Sequence, residues 1–134
     1  MRSPSFDPRC YCGCTRTTDS GEIIASGRCR GLATWIIKTV PGQQVTLTFR
    51  YYDISYDRQW VKVRDGEKES GELLFFSHDQ SQPRKVTSST NVMRVELMTE
   101  IVVTSPAEMT VFPRNASLPI HVHGFIASYE ATGL

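Results

Sequence analysis

Gln59-Trp60-Val61-Lys62-Val63-Arg64-Asp65-Gly66 alternates apolar and polar residues with a period of two and closes on an Asp-Gly turn signal. A strand written this way puts Val61 and Val63 on one face and Trp60, Lys62 and Arg64 on the other. One face is therefore buried and the other meets solvent or a partner. That is the signature of an antiparallel sheet with one covered side.

Runs of the same kind flank it. Upstream lie the short Ile23-Ile24-Ala25, then Thr34 to Lys38, then a Pro41-Gly42 turn and a long strand from Gln44 to Tyr52. In the last of these, Val45, Leu47 and Phe49 alternate with Thr46, Thr48 and Arg50. Downstream come Glu72–Phe76, Asn91–Met98 and Ile120–Tyr129. In the Asn91–Met98 run, Met93, Val95 and Leu97 share one side, and Val92, Arg94, Glu96 and Met98 the other. No window carries a helical stripe. Short, regularly spaced strands divided by Gly, Pro and Asp predict an all-β, antiparallel two-sheet sandwich.

The 134 residues suffice for one domain with a real core, and 40% hydrophobic with 22% charged residues excludes a disordered or collagen-like chain. A net charge of +1, with Lys and Arg scattered, argues against a nucleic-acid partner. No apolar run approaches the roughly 20 residues that cross a bilayer, so the domain is not expected to insert into a membrane. Met1-Arg-Ser-Pro-Ser-Phe reads as the start of an excised domain rather than a signal segment.

All four cysteines, at 10, 12, 14 and 29, fall in the first quarter of the chain and lack the spacing of a zinc site. Disulfides in an oxidising compartment are the better reading. The sequon Asn115-Ala116-Ser117 points to the same extracellular setting. Four cysteines allow three connectivities, and the residues alone do not choose among them.

In order and spacing, these landmarks resemble a CUB domain, a jelly-roll sandwich of extracellular proteins. Cys12-Gly13 is followed at the family spacing by Gly21-Glu22-Ile23, then by Trp35-Ile36-Ile37. Gly42, Val45-Thr46-Leu47-Thr48-Phe49 and Tyr52-Asp53-Ile54 match the next strand, and Gln59–Gly66 the one after it. Gly124-Phe125-Ile126-Ala127-Ser128-Tyr129 is the family's closing strand. The resemblance spans residues 12–129. It implies a CUB-like core over 12–130, with residues 1–11 and 131–134 as tails and an inserted hairpin or loop at about 101–123.

The resemblance favours Cys12–Cys29 as the leading disulfide, because Ala33 stands where the family's partner cysteine belongs. A loop of that length contributes roughly 3 kcal/mol through the unfolded state. Cys10 and Cys14 then bond each other, or Cys14 replaces Cys12. The family's second disulfide is missing, with Tyr56 and Phe76-Ser77 at its places. Many CUB domains bind calcium through three acidic side chains, and here those positions hold Ser55, Gln59 and Glu100. Calcium asks for several anionic oxygens, so no calcium or other cofactor is expected, although Asp53 and Asp57 lie close in sequence.

Other constellations are weaker. Trp60, Lys62 and Arg64, with Arg50 as a neighbour, form a candidate binding face for a protein or a sulfated glycan. Its plain alternative is a solvated face on which aliphatic stems cover the indole. Met109, Val111 and Phe112, in the inserted hairpin, form a second candidate surface; the competing role is edge protection. His121 and His123 share a strand face but have no placed carboxylate to complete a metal site. There is no Gly-x-Ser-x-Gly elbow and no phosphate-binding glycine loop, and catalysis is not expected. The expected function is extracellular protein–protein interaction within a larger secreted or membrane-anchored protein, without calcium. The alternatives are a glycan- or heparin-binding module and an accessory domain of an extracellular enzyme.

Overall fold

The computed structural model describes residues 10–26, 28–55, 57–78, 85–100 and 123–133. Among these residues, nine strands follow in chain order: β1 (Gly13–Arg16), β2 (Ser20–Ser26), β3 (Gly31–Lys38), β4 (Gln43–Asp53), β5 (Gln59–Asp65), β6 (Leu73–Phe76), β7 (Lys85–Thr87), β8 (Val92–Thr99) and β9 (Gly124–Gly133). They build a five-stranded sheet, β1-β3-β8-β5-β6, and a four-stranded sheet, β2-β9-β4-β7. All neighbours are antiparallel except β1 and β3, which run parallel. The expected antiparallel two-sheet sandwich is present, with one parallel pair at that edge.

The parallel pair exists because of a glycine. Gly13 has φ of 114°, and a Cβ there would sit 2.5 Å from the Thr34 carbonyl oxygen. Only a residue without a side chain lets β1 approach β3 so closely.

The core is the layer between the sheets. Trp35, Ile37, Val61, Val63, Met93, Val95 and Leu97 from the larger sheet meet Ile23, Val45, Leu47, Phe125, Ala127 and Tyr129 from the smaller one. Each strand contributes alternate residues, as its apolar pattern requires. Removing a Val or Leu side chain of this kind from water contributes roughly 1.5–3 kcal/mol. Trp35 meets Phe125 edge-on at 6.0 Å, and its indole N–H donates to the Cys10 carbonyl at 2.6 Å. Residue 10 is thus fastened to the core, although residues 1–11 read from the sequence as a tail.

One further boundary moves. β9 runs to Gly133 and pairs Ala131, Thr132 and Gly133 with Val45, Gln44 and Gln43, so 131–133 is strand rather than tail. β4 carries a bulge between Phe49 and Tyr51. The bulge leaves Arg50 and Tyr51 exposed and returns Tyr52 to the core, edge-on to Phe49 at 5.6 Å.

Candidate functional site

One end of the sandwich gathers the turn after β4, the start of β5 and the end of β8. Gln59 pairs with Thr99 in the β5–β8 ladder, and Asp53 with Gly124 in the β4–β9 ladder. Here the Gln59 side chain is buried, with the residue 4% exposed. Its Oε1 accepts from the Ser55 backbone N–H at 2.7 Å, and its Nε2 donates to Thr99 Oγ1 at 3.1 Å. The Ser55 carbonyl accepts from the backbone N–H of Gln59 at 2.8 Å and of Arg58 at 3.2 Å. The Glu100 N–H closes the array onto the Arg58 carbonyl at 2.8 Å.

This donor set does not fit a calcium ion. Calcium takes six to eight oxygens, several of them anionic. The Gln59 oxygen is aimed at a backbone N–H, and Glu100 is exposed. Asp53 faces His123 Nδ1 at 3.4 Å and accepts from the Tyr51 hydroxyl at 3.3 Å. The Tyr51 phenol is pushed up by desolvation and then by this carboxylate. Among the described residues, no three acidic, histidine or cysteine side chains lie close enough to share a metal. His121 lies outside the described residues.

The outer face of the five-stranded sheet is the second candidate. Leu32, Met98 and Trp60 are register partners across β3, β8 and β5, forming an apolar row with Leu32 43% exposed. In the next row the Lys62 ammonium lies 4.3 Å from the Trp60 ring centroid and 5.0 Å from that of Phe76. The Phe76 and His78 rings lie 5.0 Å apart.

Arg64 has a different task. Glu96, 3% exposed, receives Arg94 Nε at 2.6 Å and Arg64 Nε at 3.4 Å. Arg64 also donates to the Gly71 carbonyl at 3.2 Å, and Arg94 to the Glu67 carbonyl at 3.0 Å. The two guanidiniums clamp the loop between β5 and β6 onto the sheet. Sequence reading placed Glu96 and Arg94 on a mixed face but missed this network, because only the register brings Arg64 opposite Arg94.

Arg50 is a correction. It belongs to β4, in the other sheet, and its Nε donates to Ser128 Oγ at 2.6 Å. It therefore neighbours neither Trp60, Lys62 nor Arg64. Its surroundings are a polar groove lined by Thr46, Thr48, Thr87, Ser128 and Thr132. Met109, Val111, Phe112 and Asn115 lie outside the described residues.

Two disulfides interlace at the N-terminal side: Cys12 with Cys29, Cα–Cα 5.4 Å, and Cys10 with Cys14, Cα–Cα 4.9 Å. No described cysteine is free.

Comparison with known proteins agrees with this architecture. The CUB-domain family model matches residues 12–107. The fold resembles the CUB1-EGF-CUB2 domains of rat MASP-1 at a TM-score of 0.59 and 18% identity, over 91% of this chain and 43% of that one. It resembles the full extracellular region of zebrafish Gpr126/Adgrg6 at 0.59 and 18%, over 92% of this chain and 15% of that one. The MASP-1 CUB2 domain, solved bound to Ca2+, matches at 0.54 and 15%, over 87% of this chain and 96% of that one. The chain belongs to the CUB-domain family. It spans under half the length of the first two proteins it matches.

Proposed function

We propose that this chain is a non-catalytic, calcium-independent protein-binding module of an extracellular protein, secreted or anchored to a membrane. CUB homologues are extracellular protein-interaction modules, and two interlaced disulfides suit that compartment. The observation that carries the reading is the outer face of the five-stranded sheet. There an indole beside Met98, with Leu32 beyond it in the same row, adjoins a lysine packed on aromatic rings. Interfaces concentrate their energy in such large, part-buried aromatic anchors. A sulfated-glycan role loses its support, because Arg50 lies on the opposite sheet and Arg64 is committed to Glu96 and Gly71.

The test displays the domain in multivalent form against an array of extracellular proteins and an array of sulfated glycans. A Trp60→Ser/Lys62→Glu variant should lose protein binding at least about tenfold, which corresponds to roughly 1.4 kcal/mol. Arg50→Glu should bind as the unaltered domain does, with chelator present or absent. Binding confined to sulfated glycans and abolished by moderate salt, or equal loss in both variants, would overturn the reading.

A further inference from the structure

The end of the sandwich that does not fit calcium is nevertheless tightly organised, and one side-chain amide adds two hydrogen bonds to its backbone array. We propose that the Gln59 carboxamide is a built-in replacement for a cation, holding Ser55 against the start of β5 and tying both to β8. The inference deepens the calcium-independent part of the proposed function and rests on it.

The chemistry of the amide explains the choice. A cation at this end would order the loop by collecting oxygens. Gln59 orders it by using both polarities of one planar group, its oxygen taking the Ser55 N–H and its nitrogen giving to Thr99 Oγ1. A carboxylate offers acceptors only, and without a cation its buried charge is costly. The neutral amide buries in full, at 4% exposure, and leaves no charge to balance. The Ser55 carbonyl then receives two backbone N–H groups, so the turn is closed from both sides.

The position also explains the reach of the effect. Gln59 is the first residue of β5 and faces the core side, in phase with Val61 and Val63. Its partner Thr99 ends β8, one residue before Glu100. The amide therefore joins two strand ends and one turn, and the join does not depend on the ion content of the medium.

Hydrogen exchange of the Ser55 amide reads the clasp directly, with the Val95 amide of the central ladder as internal reference. In Gln59→Met, Ser55 exchange should accelerate at least about tenfold relative to Val95, the loss of a protected donor. Thr99→Val, which removes only the second bond, should give a smaller acceleration at the same amide. The melting temperature of the unaltered domain should agree within about 1 °C in excess calcium and in chelator. A calcium-dependent rise of several degrees would overturn the proposal, as would unchanged Ser55 exchange in Gln59→Met. Neither readout involves the protein array, so failure of the clasp and failure of the binding face are separate results.

Discussion

The two outer faces of this sandwich are built on opposite plans. On the five-stranded sheet, long side chains cover one another: Lys62 lies over two rings, and Glu96 is buried beneath two arginines. On the four-stranded sheet, Thr46, Thr48, Thr87, Ser128 and Thr132 line a polar groove together with Glu22, Arg50, Lys85 and Glu130. The first face holds desolvated charge and aromatic area, both of which a protein partner can exploit. The second is already compatible with water. Outward alternation alone does not separate them, since both strands sets read polar on that side.

Breaking the charged layer should have the largest effect on stability. Glu96→Ala leaves two nearly buried guanidiniums facing each other and should cost about 3 kcal/mol, read as the shift of a urea unfolding midpoint. A cost below about 0.5 kcal/mol would mean that the network is exposed and the contrast between the faces false. Trp60→Ala should cost less, about 1 kcal/mol, through the lost cation–π contact and packing, while abolishing binding on the arrays. On the hydroxyl face, the Thr46→Val/Thr87→Val pair removes a 3.1 Å cross-strand hydrogen bond that faces solvent. Its stability should change by less than about 0.5 kcal/mol, and its binding not at all.

The interior between the faces gives the smallest effect, visible only in alkali. Burial pushes the Tyr52 phenol up to about 12, with Ser77 offsetting part of the rise. The folded state keeps this proton after the unfolded chain has lost it near the ordinary value of 10. Its contribution is therefore complete below pH about 10 and is lost as pH rises through about 12. Tyr52→Phe should flatten the fall of melting temperature over that window and leave it unchanged at neutral pH. An unchanged alkaline slope would show that Tyr52 is not protected by the core.

How much of this was legible follows from what alternation encodes. Strands β3, β4, β5 and β8 were readable because each is at least seven residues long and rich in alternating apolar residues, and in β4, β5 and β8 the apolar face read from sequence is the one turned to the core. β1 and β7, four and three residues long, were not, because so short a run has no measurable period. Alternation assigns a residue to a side of its own strand but not to a sheet. That is why Arg50 was grouped with Lys62 although the two lie on different sheets. At Gln59 the residue type suggested what is missing, and only the structure supplied the hydrogen bonds that stand in its place. Arg64 had the right face but the wrong task, since its partners Glu96 and Gly71 come from register and loop placement.

β9 follows every other strand in the chain, yet it lies in the middle of its sheet, between β2 and β4. Its partners begin at Ser20 and Gln43, about a hundred residues back along the chain. During synthesis β2 and β4 therefore wait, each with an unpaired edge, until residues 124–133 leave the ribosome. Closure of the small sheet is therefore a late step in the folding of this domain, and β2 and β4 expose unpaired edges until it occurs.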